Sequence, residues 1–590
     1  MMATLTSSKA RRSPGMALHL VVTLFLLAAA PAFLAATGLG DDQLRPQFHV
    51  MPERYWMNDP NGPVFFNGLH HLFYQHNPDS IAWTNMHWGH AVSNELVFWA
   101  HLPVALSPGP EPYDSGGIWS GSVSIDPITR TPTIFYTGVS PQVQCVAYPA
   151  DMSDPLLTHW NKSTSNPFLH SPPATFPQDN FRDPTTAWKS TDGYWYLLIG
   201  SGNEKGGAAL LYRSRSGRFV DDAEYAGHPM ARAQDINIDG SMWECPDFYP
   251  LSSGINETKW VLKASSQALG HGDHYYTGAY DQKNQTFSAD VHGIYDYGSK
   301  FYASKSFLDN NPILSVPRQS LPRTLSLDTD GTLLIAPIPE LAALRLPDDH
   351  LHVDGLKIKA GTSFSLGSIE IVQAEILIHF SYAYVFFGPQ FPAGSTFGVR
   401  LLQSPDKREQ TEIALQGVLP MTKGLDLPGG DYRSLQVQIN DYASCEAACN
   451  QDPLCHAWTL ITGTPGRDNC WLKASIPASK PNPQTVSGAK GLLRANRTLS
   501  SLYPKADSFP EFGPLLPPTG PDGWAMRNLT LHIFVDHSIV EVFVNQGKER
   551  LTSRVYPTLP DSRFAELFVD GPHDVFVTSI DVWQLRTVWL

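Results

Sequence analysis

Charge is scarce in this sequence. Lys, Arg, Asp and Glu make up only 17% of its 590 residues, and their balance is acidic, at −14. No long basic stretch interrupts that balance. Nucleic acids and anionic membrane surfaces attract clustered cations, so neither is expected as a partner. The 42% of hydrophobic residues is ample for large cores and excludes a disordered chain. A sustained helical period is missing too. With 49 Pro and 45 Gly, the chain breaks into short runs instead. Cysteine is confined: Cys145 and Cys245 stand alone, while Cys445, Cys449, Cys455 and Cys470 crowd into one segment. Their C-x3-C-x5-C-x14-C spacing lacks the paired C-x2-C knuckles of a zinc site, so two disulfides are expected there. His76, His87 and His90 sit in contexts that give no ligand set, so neither a metal nor a cofactor is expected.

Long apolar runs are absent except at the start. Lys9, Arg11 and Arg12 precede an apolar stretch from Ala17 to about Thr37, with small residues Ala35, Ala36 and Gly38 at its exit. Residues 1–37 read as a secretory signal peptide, with an uncleaved anchor as the alternative. Five N-x-Ser/Thr sequons, at Asn161, Asn256, Asn284, Asn496 and Asn528, suit a glycosylated surface. The expected destination is outside the cell or in the cell wall, with the vacuole or a membrane anchor as lesser alternatives.

What fills the chain is strand. From residue 45 to 346, short runs such as His71–Gln75, Thr133–Tyr136, Tyr194–Ile199, Lys259–Lys263 and His274–Thr277 alternate with Gly, Asn, Asp and Pro. Aromatic and β-branched residues suit a pleated, half-buried surface, so an all-β array such as a propeller is expected. From 350 to 590, alternating runs such as Ser538–Val544 indicate a β-sandwich. The cysteine-rich segment, 424–492, differs in composition and reads as an insert. A Pro-rich linker, 509–521, follows it.

Three acidic motifs stand out: Trp56-Met57-Asn58-Asp59-Pro60-Asn61-Gly62-Pro63, Phe181-Arg182-Asp183-Pro184 and Trp243-Glu244-Cys245-Pro246-Asp247. Each sets a carboxylate beside residues that fix a tight backbone or stack on a ligand. Together they resemble the signatures of glycoside hydrolase family 32, the acid invertases and fructan hydrolases. His71–Gln75, Gly117–Ser122, Asp536–Glu541 and Thr552–Pro557 resemble further family segments. The resemblance implies a five-bladed β-propeller followed by a sandwich. It implies a retaining β-fructofuranosidase acting on sucrose or fructans. Asp59 matches the nucleophile, Glu244 the acid/base, and Asp183 a carboxylate that holds fructosyl hydroxyls. Asn58, Gln75, Trp83, Trp119, Ser120 and Arg182 are expected at the substrate, Arg182 orienting a carboxylate or hydroxyl and Trp119 stacking on a sugar face. Glu244 must hold a proton, which a nearby anionic carboxylate would favour. Asp59 must stay ionised, which backbone N–H donors in its turn would favour. Cys245 reads as a buried thiol that tunes this environment.

The sequence departs from the family in three places. After Phe301–Phe307 the chain runs from Asp309-Asn310-Asn311-Pro312 almost directly to Arg318 and Arg323, which implies a truncated fifth blade on the leaving-group side of the pocket. The stretch Ser266–His271 lacks the Asp/Lys pair of plant invertases, which inclines the reading toward fructans. The insert resembles a PAN/apple module. That resemblance pairs Cys445 with Cys470 and Cys449 with Cys455, and it implies a protein or glycan ligand. Two alternatives stand beside the hydrolase: a fructosyltransferase, and a non-catalytic carbohydrate-binding relative that keeps the pocket.

Overall fold

The computed structural model describes residues 42–232, 242–252, 258–266, 272–308, 313–316, 320–367, 369–381, 396–416, 419–452, 454–462, 467–473, 480–503, 508–515 and 528–588. The expected signal segment, Asn256, Gln267–His271 and Asp309–Pro312 lie outside them.

Residues 56 to 337 form five antiparallel sheets in chain order. Four of them are simple four-stranded meanders. The third carries the short strand Phe181–Arg182 as well, paired with Trp195–Asn203. The segments that open the blades are Trp56–Phe66, Gly117–Ile125, Phe181–Arg182, Trp243–Ser252 and Lys305–Leu308. Trp56–Phe66 touches the opening strands of the second and fifth blades. The second touches Phe181–Arg182, the third blade touches Trp243–Ser252, and that strand touches Lys305–Leu308. The ring therefore closes, as a five-bladed propeller.

Each joint between blades has its own apolar filling. Phe73 and Trp88 meet Ile118 and Tyr136 between the first two blades. Phe135 and Val146 meet Phe181 and Leu197 at the next joint. Tyr196 and Leu198 meet Trp243 and Leu262 at the third. Val261 and Tyr275 meet Leu325 and Leu333 at the fourth. Leu72 and Leu96 meet Phe307 and Leu314 at the last, where Phe534 and Phe543 of the sandwich join them. Burial of such side chains contributes about 1.5–3 kcal/mol each, which is why the aromatic runs recur along the sequence.

The fifth blade has all four strands, and each of them is short. Its strands hold four, four, five and five residues, against eleven in Trp56–Phe66.

The sandwich consists of two six-stranded sheets around one large core that includes Ile376, Ile378, Val399, Ile413, Ile533 and Val542. The cysteine-rich segment leaves after strand Thr411–Gln416 and returns at Gly491–Asn496, two strands that pair with each other. It is thus an enlarged hairpin connection. It holds a five-stranded sheet and the helix Tyr442–Gln451, whose start is capped by Asp441 accepting from the Ser444 N–H at 3.1 Å. Cys445 bonds Cys470 and Cys449 bonds Cys455, all four buried in a small core with Trp458.

Propeller and sandwich are joined by a buried ion network. His49 Nδ1 contacts Asp536 at 2.6 Å and Nε2 contacts Glu541 at 2.9 Å. Arg323 of the fifth blade bridges Asp296 and Glu541, both at 2.8 Å. Burial opposes the charge on His49, but its bonds to Asp536 and Glu541 outweigh it and raise its pKa to about 9. A group whose folded pKa is raised stabilises most below its unfolded pKa of about 6.5, and that contribution fades as pH climbs through 9. The wild-type protein should therefore lose up to about 3 kcal/mol between pH 6.5 and 9.5 in urea titrations, while His49→Asn is flatter over that window. Arg323→Met should cost about 3–5 kcal/mol, because it leaves buried carboxylates unpaired.

Candidate active site

All three motif carboxylates sit where the edge of a blade is interrupted near the axis. In the first blade, pairing with Leu69–Asn77 shifts register between Met57 and Pro60, which sets Asn58 and Asp59 in the irregular stretch. Gly62 then takes a left-handed φ of +43°, and a Cβ there would meet Val123 Cγ2 at 2.6 Å. No other residue suits both demands. With its amide turned to satisfy both ends, Asn61 accepts from Gln75 Nε2 at 2.9 Å and donates to the Pro60 carbonyl at 3.1 Å. In the second blade, the register shifts between Trp119 and Gly121, which turns Ser120 out. Its hydroxyl donates to Asp59 Oδ2 at 2.8 Å.

Asp183 follows Phe181–Arg182 and has a left-handed φ of +65°. Its backbone N–H donates to Thr137 Oγ1 and its Oδ2 accepts the Cys245 N–H, both at 2.9 Å. Cys245 is itself left-handed, at +44°. Glu244, one residue earlier, takes Arg182 Nε at 2.9 Å and Nη2 at 2.8 Å on the same oxygen, Oε1. The Tyr302 hydroxyl donates to its other oxygen, Oε2. Arg182 also donates to the Asp179 carbonyl at 3.0 Å.

These groups face one cavity of about 370 Å³. Asn58, Asp59, Gln75, Trp83, Trp119, Ser120, Arg182, Asp183 and Glu244 all line it, so the structure brings together every residue expected at the substrate. Gln142, Asp179 and Asn180 line it as well and were not anticipated. Asp183 at the floor is only 4% exposed, whereas Trp83 is 50% exposed and packs against Trp119 at 5.4 Å. The cavity is therefore a funnel with an acidic base and an aromatic rim. Tyr302 was missed too. It lies in the Phe301–Phe307 run, which was read only as a landmark before the fifth blade.

The carboxyl lifted by its surroundings is that of Asp183, raised to about 6 by burial and by the charges of Glu244 and Asp59, against the pull of Arg182. Glu244 has the Arg182 guanidinium directly on it. Burial, with Asp183 and Asp59 nearby, pushes the Cys245 thiol well above its usual range, so it is a neutral S–H and not a nucleophile. Its sulfur lies 3.6 Å from Asp183 Oδ2 and 4.0 Å from Asp59 Oδ2. Burial and Glu244 raise the Tyr302 pKa as well, keeping that hydroxyl a donor. Asp59 receives a hydrogen bond from the Ser120 hydroxyl of the neighbouring blade.

The outlying expectations fall as follows. His76 bonds the Trp56 carbonyl, His87 the Asn85 carbonyl and His90 the His71 ring, each within its own surroundings. Asn161 and Asn284 are exposed, Asn496 is half-buried and Asn528 opens a strand.

A funnel with paired carboxylates at its floor and tryptophans at its rim defines the class, a carbohydrate-cleaving enzyme. Known proteins bear this out. The glycosyl hydrolases family 32 N-terminal domain matches residues 49–316 and the family's C-terminal domain matches 356–584. The chain is 32% identical to an insoluble β-fructofuranosidase, isoenzyme 3, of Oryza sativa, over 93% of this chain and 92% of that one. It is 32% identical to fructan 6-exohydrolase of Beta vulgaris, over 92% and 87%. The crystal structure of fructan 1-exohydrolase IIa from Cichorium intybus superposes with a TM-score of 0.72 at 27% identity, over 92% of this chain and 98% of that one. The chain belongs to glycosyl hydrolase family 32 and is a glycoside hydrolase.

Above about pH 6 the buried Asp183 carries a charge whose cost is absent once it is protonated. Asp183→Asn should therefore raise stability at pH 7.5, by up to about 3 kcal/mol. The gain should vanish as pH falls toward 4, and activity should be lost at every pH. Equal stability of the two proteins at pH 7.5, measured by urea unfolding, would contradict this.

Proposed function

We propose that this fructosyl hydrolase removes terminal β-linked fructosyl units from sucrose or fructans by a retaining double displacement. The observation that carries the reading is the convergence of Asp59, Asp183 and Glu244 on one funnel, each with its own donor. Asp59 attacks the anomeric carbon while Glu244 gives its proton to the departing oxygen. That breaks the glycosidic bond and leaves a fructosyl ester on Asp59. Water then attacks the same anomeric carbon, Glu244 takes the water's proton, and the bond from that carbon to Asp59 breaks, freeing the carboxylate. Asp183 binds fructosyl hydroxyls at the floor. Arg182 and Tyr302 hold the two oxygens of Glu244 in place, and Trp83 and Trp119 contact the leaving sugar at the rim.

Hydrolysis is favoured over fructosyl transfer by the relatives, which are named for fructofuranosidase and exohydrolase activity. One chain superposable with this one at 26% identity was solved with 1-kestose, which supports short fructans beside sucrose as candidate substrates. We place the protein outside the cell or in the vacuole. Two relatives are named as vacuolar, and among the described residues no helix is long and apolar enough to cross a membrane. The insert, stapled by its own disulfides, is read as a separate surface for a protein or glycan.

Fructose release from sucrose, inulin and levan tests the reading, with NMR of the first-formed anomer. Retained β-fructofuranose is expected, and an inverted anomer or no release from all three substrates sinks it. Asp59→Ala should lower kcat by about 10⁴-fold or more. Glu244→Gln should lower it by about 10²–10⁴-fold. Tyr302→Phe removes one hydrogen bond to Glu244, about 1.5 kcal/mol, and should slow turnover roughly tenfold.

A further inference from the structure

A second cluster of chemistry-bearing side chains lies on the sandwich, and none of its members lines the funnel. Strand Arg345–Ile358 is the edge of its sheet and pairs antiparallel with Val575–Leu585. His350 and His352 are two residues apart on that edge, so they share one face. Asp581 stands directly opposite His352, and Trp583 opposite His350. His350 Nε2 lies 2.9 Å from Asp581 Oδ1, and His352 Nδ1 lies 2.7 Å from the same oxygen. One ligand atom from each of the three residues falls within 4.8 Å of the others.

The surroundings orient both rings. His350 lies flat on Trp583, with centroids 4.8 Å apart and planes 2° from parallel. Arg345 covers the same indole at 3.8 Å. The far nitrogen of His352, Nε2, meets Asp354 Oδ2 at 3.0 Å. Asp354 accepts the Nε2–H and holds the ring, while in the metal-free protein Nδ1–H donates to Asp581 Oδ1; a bound cation would displace that proton and take the Nδ1 lone pair. This is the usual arrangement behind a metal-bound imidazole.

We propose that His350, His352 and Asp581 bind a divalent d-block cation, with zinc as the representative ion and Asp354 as the carboxylate that orients His352. Two imidazole nitrogens and one carboxylate oxygen suit zinc, whereas calcium and magnesium select all-oxygen sets. Metal bonds of about 2.0–2.1 Å set tetrahedral donors about 3.3 Å apart, slightly wider than the hydrogen bonds seen here. Small rotations of the two rings supply the difference. The side chains of His350 and His352 are 33% and 46% exposed, so the ion enters directly from solvent and water completes its coordination. The cation ties the edge strand to the last strand. The edge strand begins right after the propeller's last buried leucine, Leu344, so the ion clips the chain where it passes from propeller to sandwich. The role is structural and independent of the funnel.

The test uses the full chain, stripped with a chelator, and titrates zinc chloride by calorimetry with calcium chloride in parallel. One equivalent of zinc should bind per chain and raise Tm, while calcium does neither. His350→Gln with His352→Gln should abolish that equivalent and the zinc-dependent rise in Tm, yet keep fructose release unchanged, which shows the variant is folded. Asp354→Asn should weaken binding about 10–100-fold. Cobalt in place of zinc should give visible absorption of a four-coordinate site in the wild type only. No zinc uptake by the wild type, equal uptake by the double variant, or an equal response to calcium each overturns the proposal. The last two outcomes would mean that the cluster is only a hydrogen-bonded charge group.

Discussion

Asp59, Asp183 and Glu244 repel one another, and the fold must hold them together against that repulsion. It does so with donors that come from a different blade each time. Asp59 of the first blade is held by Ser120 of the second. Asp183 of the third is held by the backbone of Cys245 in the fourth. Glu244 of the fourth is held by Arg182 of the third and by Tyr302 at the entry to the fifth. No single sheet could supply these contacts, so the site exists only when the ring is closed. The apolar filling between blades therefore acts on the chemistry directly. It fixes the distances across the axis at which donors meet carboxylates, and a loosened joint would misalign a pair of catalytic groups before it unfolded the domain.

The site was largely legible because its residues come in motifs. Asn58-Asp59-Pro60, Arg182-Asp183-Pro184 and Glu244-Cys245-Pro246 mark bulges and left-handed turns, and a carboxylate beside such a turn already reads as a placed group. Tyr302 left no such mark. Its partner Glu244 is distant in the chain, and one tyrosine beside Phe301 is indistinguishable from core. Gln142 is hidden for the same reason. Asp179 and Asn180 do adjoin the Phe181-Arg182-Asp183 motif, but a polar pair before a strand reads as a turn. The fold class followed from strand composition. The number of blades did not, since no exact repeat marks the joints, and only the family resemblance supplied it. The disulfide pairing rested on a resemblance too, because spacing alone leaves alternatives open.

The network around Arg323 shows how the sandwich takes part without touching the funnel. Its strand Ile539–Val544 presents Glu541 to both His49, ahead of the first blade, and Arg323, in the fifth. Those are the two blades where the ring must close. A propeller of consecutive meanders has no strand that crosses its final joint, so closure there depends on side chains. The buried charges serve that purpose, and Phe534 and Phe543 add apolar contact at the same place. The sandwich is in effect the clasp of the ring. This gives a physical reason for joining two all-β units, which also share apolar contact where Ile294 and Tyr297 enter the sandwich core.

The short fifth blade fits the same logic. Its strands are reduced, yet its side facing the axis keeps every contact the site requires. Tyr302 reaches Glu244, Lys305 donates to Asp247 at 3.1 Å, and the Ser306 N–H reaches the other oxygen of Asp247 at 2.6 Å. Ala303 and Ser304 N–H groups both bond Asp273, at 3.0 and 2.8 Å. These bonds lock the entry of the fifth blade to the strands that carry Glu244 and Asp273. Near the axis the blade is constrained by chemistry. In the length of its strands it is constrained only by packing, and four or five residues still suffice to bury Leu314, Leu325, Leu333 and Ile335. A propeller can therefore lose length from one blade and keep its carboxylates in place.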